Sequence, residues 1–538
     1  MSSISSLSSS TTSSSSIDSN TFNRISGLAS GMDIDKIVAN LMTAARAPED
    51  ALKQNLQVLE WQQDAYRTVN TDLNNLQNTV FNMKLQGSFM GKQVDSSSTA
   101  VTASAGIDAL NLTHTIEVTN LATAEVMTSA APIATNGTYT GNLNAMLTGL
   151  TTGSDGNVKL LIGDGATTQE FTINPGTQSL NDLINQINSS SLNLKASWDD
   201  SLKRFYLSST KPGQSNSVSY TDESGNLMQQ LFGSSNTTQT VSGTDAQVKI
   251  DGTSYSFNSN QIQVNGVTYN LKGTTGGITT VTVSNDVDAI VSTIKDFITQ
   301  YNSTLADING KLTETRYSNY QPLTDAQLST GKLTSTQIDE WNAKAKSGLL
   351  NNDSLLNSAV YAMRNAMASP VSGLTGQVTV TVGSQQVTTT ANQMDVIGIT
   401  TGSYTDNGKL TLDENKLREA LQSNPQAVID LFTKSANTSG AQITDSSQQG
   451  LSVRLYNALG SSISQITSKA GSSSDLVDTS YMGQSMKGIN TQISDTDTQL
   501  QALETRYYNQ FTAMEQAISQ LNSQGAWLSQ MFGSSTSK

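Results

Sequence analysis

Residues 48–85 read PEDALKQNLQVLEWQQDAYRTVNTDLNNLQNTVFNMKL. Leu52, Leu56, Leu59, Tyr66, Val69, Leu73, Leu76, Val80 and Met83 recur at alternating steps of three and four, with one slip around Gln63. That spacing draws a narrow apolar seam along one helix, and Pro48 suits its first turn, where no backbone donor is needed. Running to about Leu85, the helix would be roughly 55 Å long at 1.5 Å per residue. Upstream, Asp33 reads as the N-cap of a shorter helix with Ile34, Ile37, Val38, Leu41 and Met42 on one face, ending near Arg46-Ala47-Pro48.

The far end of the chain answers this pattern. From about Met486, the residues Ile489, Ile493, Thr496, Leu500, Leu503, Tyr507, Phe511, Met514, Ile518, Leu521 and Leu528 form a second stripe with no Pro inside it. A narrow seam buries little by itself, so each long helix needs a partner, and the cheapest partner is the other. A helical hairpin inside a monomer and a terminal coiled coil that docks into an assembly both fit. Trp61, Tyr66, Tyr507, Tyr508, Phe511, Trp527 and Phe532 lie on these helices, either as coiled-coil core or as interface anchors.

Between the helices the period shifts from about 3.6 towards 2. Val101–Ser104 and Thr115–Thr119 read as strands. Val158–Ile162 and Glu170–Ile173 flank a Gly163-Asp164-Gly165 turn, with a short helix near Leu180–Ile187 and strands near Leu194–Trp198 and Arg204–Leu207. A further strand set spans 245–285, with Asp251-Gly252 and Asn265-Gly266 as tight turns. Helical spacing returns from Ile290 to Leu312, capped by Asn285 or Asp286, then at Ile338–Lys346 and Leu355–Met367. A strand pair surrounds 376–390, and helices near Glu414–Ser423 and Ala427–Phe432 are separated by Asn424-Pro425. The expected fold class is multidomain α+β: a terminal helical coiled coil built from both chain ends, a mixed α+β middle domain and inserted β-rich head domains. The expected divisions are a disordered tail at 1–24, a leg at 25–87 with 470–538, a head domain at 88–129 with 241–285, an outer head at 130–240, and the mixed domain at 286–469.

Composition narrows the chemistry. The 538 residues contain no Cys and one His, so Cys-ligated metals, disulfides and multi-His metal sites are excluded. A net charge of −14 without a basic block argues against nucleic acid, and no apolar run of about 18 residues suggests a membrane span. About 41% of the chain is uncharged Ser, Thr, Asn and Gln, which suits a filament or extracellular protein. The first twenty residues show no secretory signal pattern. His114 reads as a surface or satisfied histidine, Asp199-Asp200 as a turn and Asp33/Asp35 as a helix start. Gly163-Asp164-Gly165 lacks the rest of a dinucleotide loop, and no catalytic, cofactor or metal residue is assigned.

One set of segments comprises Ile25–Asp33 with Ile37-Val38 and Leu41-Met42, Arg46-Ala47-Pro48 through Trp61 to Arg67, Ile116–Thr119, and Asn285-Asp286-Val287. Tyr317 to Thr324, Trp341 with Lys344–Leu350, Gly398-Ile399, Arg506–Tyr508, Gln510–Glu515 and Trp527-Leu528 extend it. Together these segments resemble the flagellar hook-associated protein 2 family, the caps of bacterial flagellar filaments. The resemblance implies a non-enzymatic structural protein at the distal filament tip, exported by the flagellar type III apparatus, which promotes flagellin folding and insertion and stops its loss to the medium. It implies self-association into a ring, commonly of five copies, and contact with flagellin, the hook-filament junction protein and an export chaperone. Host mucin or glycan is a further candidate partner. The expected filament and self-assembly residues are Leu52, Leu56, Leu59, Trp61, Tyr66, Leu73, Leu76, Val80, Leu500, Leu503, Tyr507, Phe511, Met514, Ile518, Leu521, Trp527 and Leu528. Another axial protein of the flagellum and a surface adhesin are the alternatives.

Overall fold

In the computed structural model, residues 29–402, 406–437 and 439–533 are described, so the tail expected at 1–24 lies outside them. The chain forms two units: a helical one, up to Lys84 and from Lys295 onward, and a β-rich one, Leu85–Ile294.

Two short turns set the register of the β-rich unit. Asp251 and Gly252 (φ 48° and 83°) and Asn265 and Gly266 (φ 51° and 78°) take left-handed conformations, the geometry of two-residue hairpin loops. They join Ala246–Ile250 to Thr253–Phe257 and Gln261–Val264 to Val267–Leu271. The first pair lies in a five-stranded antiparallel sheet, ordered Lys92–Ser96, Thr279–Asn285, Thr113–Asn120, Ala246–Ile250, Thr253–Phe257. The second joins Val101–Ala105 in a three-stranded sheet. Alternate residues of these strands, including Ile116, Val118, Val248, Tyr269 and Val281, make one core. His114, second in its strand, is buried, with Nδ1 2.7 Å from Oδ2 of Asp251 in the first turn.

Strands from Val126 to Val241 surround a separate core of Leu160, Ile162, Leu183, Ile187, Phe205 and Phe232 among others. Here Val158–Gly163 and Thr168–Ile173 form the expected hairpin, and Ser179 with Asp182 makes a capping box for the helix Leu180–Ser189. Strands Val218–Ser224 and Thr238–Val241 and the helix Leu227–Phe232 complete it.

The helical unit keeps the expected packing of the two long helices and adds a partner to it. The long helix, Ala47–Met83, is present, but along its second half its neighbour is Leu451–Ala470, a helix not anticipated from the sequence. That helix also packs on Ser354–Ala368. Leu73, Leu76 and Val80 are fully buried, as are Leu455, Leu459, Ile466 and Met363. The terminal helix, Tyr481–Gly533, packs against Ala47–Met83 and against Ile34–Ala45. The long helix therefore has two consecutive partners and is not one half of a simple coiled coil. Helix Val287–Thr313, begun by Asp286, whose Oδ1 accepts from Ala289 N at 2.8 Å, buries Ile294, Tyr301 and Ile308.

Candidate assembly interface

The paired termini start from Asp33, whose carboxylate accepts from Lys36 N and caps Ile34–Ala45. Ile34, Val38 and Met42 of that helix close over Leu500, flanked by Leu503, Tyr507, Tyr508 and Phe511. Tyr508 Oη donates to Asp35 Oδ1 at 3.2 Å. One turn beyond Phe511, the buried Glu515 carboxylate accepts from Ala29 N at 3.0 Å, from Ser30 N at 3.3 Å and from the Ser30 hydroxyl. Gly31, at φ 72°, turns the chain from this clasp toward the Asp33 cap. The Ser30 hydroxyl and the Ala29 amide hold the Glu515 carboxyl below the usual glutamate range.

At the root of the terminal helix a second carboxylate does comparable work. Asp478 accepts from Gln63 Nε2 at 2.7 Å, Arg67 Nη2 at 2.9 Å and Ser480 N at 2.9 Å, while Arg67 Nε reaches Ala470 O. Burial alone would raise this carboxyl; the bonds from Ser480 and Gln63 and the Arg67 charge outweigh it and hold the group low. Gln63 is therefore the slip in the heptad-like seam: a buried polar residue placed there to meet Asp478. Next to it, Tyr66 Oη donates to Asp353 Oδ2 at 2.5 Å, and Lys469 donates to the same hydroxyl. Asp353 in turn caps Ser354–Ala368 through Leu355 N and Leu356 N. Burial and the adjoining Asp353 push the Tyr66 hydroxyl well above the tyrosine range, so it stays a donor.

Past the Glu515 clasp the terminal helix is exposed all round over 519–531, and its large apolar side chains stand open: Leu521 is 65%, Trp527 58% and Leu528 47% exposed. The helix that carries them is held by the two carboxylate clasps that precede them in the chain.

Two family models match the chain. "Flagellar hook-associated protein 2 C-terminus" matches residues 243–523, and "Flagellar hook-associated protein 2 N-terminus" matches residues 30–125. A flagellar hook-associated protein 2 of Halalkalibacterium halodurans is 31% identical over 95% of this chain and 99% of its own length. The chain belongs to the flagellar hook-associated protein 2 family. An A-type flagellar hook-associated protein 2 of Pseudomonas aeruginosa is 25% identical over 95% of this chain and 97% of its own. The D1-D2-D3 domains of the flagellar cap protein FliD from Escherichia coli share the fold, with TM-score 0.53 and 22% identity over 79% of this chain and 99% of that one.

Within this family member, the expected interface residues fall into three groups. Tyr66, Leu73, Leu76, Val80 and Leu500 are buried within the chain. Leu52, Leu56, Leu59, Trp61, Leu503, Tyr507, Phe511, Met514 and Ile518 are half-buried. Trp61 carries Lys346 Nζ 5.1 Å from its ring centre, and the neighbouring Gln62 donates to Leu349 O at 3.0 Å. Leu521, Trp527 and Leu528 are exposed. Glu515, Ser30, Asp478 and Asp353 were not anticipated from the sequence. A lone acid within a stretch of neutral residues, as at Glu515, was the available signal.

Proposed function

We propose that this chain caps the distal tip of the flagellar filament, promoting flagellin folding and insertion and retaining subunits that would otherwise escape. The observation that carries the reading is the exposed apolar side chains Leu521, Trp527 and Leu528 on a helix held at its root by Asp478 and, just before them, by Glu515. Buried aromatic and aliphatic anchors dominate interface energetics, so this end of the helix is the part that seats against the filament end. The half-buried residues from Leu52 to Trp61 and from Leu503 to Ile518 gain further burial on docking. Copies associate into a ring, expected to hold five, and the hook-filament junction protein and an export chaperone are the expected encounters on the way to the tip. The role calls for no covalent chemistry.

The test is a host strain lacking this chain. The expected phenotype is absent filaments with monomeric flagellin in the medium, restored by the full chain. Normal filaments with lost surface attachment would overturn the cap and point to an adhesin for mucin or glycan. Filaments that fail at the hook would point to a junction protein.

A further inference from the structure

A cleft of about 550 Å³ lies between the end of helix Ser354–Ala368, the turn around Ser446–Gln448 and the start of helix Leu451–Ala470. Its lining includes one charged side chain, Arg454, and no Asp or Glu. Arg454 is only 8% exposed. Its Nη1 donates to Pro370 O at 3.2 Å and its Nη2 to Ser369 O at 2.5 Å. A guanidinium has five N–H donors, so three remain, and Nε has no partner among the described residues.

The two carbonyls close a helix C-terminus, whose partial negative charge offsets only part of the unit charge on Arg454. The nearest acid in sequence, Asp445, is turned away into its own loop, accepting from Ser447 N at 2.9 Å and Gln448 Nε2 at 3.3 Å. Burial is the one influence on the Arg454 charge, lowering its pKa, with no carboxylate nearby to restore it. A buried, uncompensated cation is costly, and the cost falls when an anion pairs with it and takes up the idle donors. The remaining lining is neutral and rich in hydrogen-bonding groups: Thr444, Ser446, Ser447, Asn365 and Asn457.

We propose that this cleft binds a compact oxyanion of the carboxylate or phosphate class, with Arg454 as its charge partner and the Ser446 and Ser447 hydroxyls as neutral donors. The Nε edge of a guanidinium offers two parallel N–H groups at the spacing of two oxygens on one carboxylate or phosphate. A small reorientation of Arg454 toward the cleft presents that edge while the Ser369 and Pro370 carbonyls keep the opposite side in place. The site is independent of the leg surface and of the capping reading.

The test is isothermal titration of the full-length chain with inorganic phosphate in one arm and succinate in the other, at constant ionic strength set with sodium chloride. Saturable one-site binding is expected in at least one arm; phosphate alone marks a phosphate ligand, and succinate marks a carboxylate. Arg454→Gln is expected to weaken it about tenfold or more. Asn457→Asp, at an exposed position on the rim, puts a like charge beside the anion and is expected to weaken it in the same direction, which decides the matter if Arg454→Gln does not fold. No saturable heat with either anion, or affinity unchanged in the folded variants, would overturn the proposal.

Discussion

Single carboxylates hold the chain's two ends together. Glu515 takes three hydrogen bonds from Ala29 and Ser30, so Glu515→Ala is expected to raise amide exchange at residues 29–33 while the β-rich unit keeps its protection. Because this carboxyl is held below its ordinary value of 4.5, the clasp is fully formed above that pH and is lost as the pH falls through the lowered value. Exchange at 29–33 followed from pH 7 down to pH 3 checks the sign: protection that grows on acidification would contradict it. Asp478→Ala leaves Arg67 and Gln63 without their acceptor and is expected to cost the helical unit about 1–3 kcal/mol in urea unfolding. These residues were hard to read in the sequence because hydrogen bonds across more than 400 positions leave no local pattern. The slip at Gln63 and the lone acid at Glu515 were the two hints of them.

Periodicity served well for the elements and poorly for their partners. The seam over Leu52–Met83, the Asp33 cap, the Asp251-Gly252 and Asn265-Gly266 turns and the Asn424-Pro425 break all stand in the structure. Each rests on steric or capping rules that act within a few residues. Helix Leu451–Ala470 escaped notice because Gly460, Ser461, Ser462 and Ser464 dilute its middle, although Leu451, Leu455, Leu459 and Ile466 carry the buried face. Its small residues let helices approach closely, which is why it, and not the terminal helix, covers Leu73, Leu76 and Val80. Leu76→Ala in that seam is expected to cost about 2–5 kcal/mol through the cavity it leaves, read in denaturant unfolding. Leu521→Ser, on the exposed end of the terminal helix, is expected to change stability by no more than about 0.5 kcal/mol. A large loss there would mean that end is already packed within the chain.

At the scale of the molecule, the helical and the β-rich units each bury their own apolar residues: Leu73, Leu76, Val80, Leu455 and Leu459 in the one, Leu160, Phe205, Val248 and Val281 in the other. Separate cores predict that Leu76→Ala lowers the calorimetric transition of the helical unit and leaves that of the β-rich unit in place. One merged transition shifted as a whole would contradict that division. The proposed cap role has the exposed end of the terminal helix seat the chain on the filament. Its most direct test is filament growth in a host complemented with the triple variant Leu521→Ser, Trp527→Ser and Leu528→Ser, with circular dichroism of the purified variant alongside. The expected result is a folded, exported protein that leaves cells without filaments and with flagellin in the medium; filaments of normal length and number would overturn the proposed role.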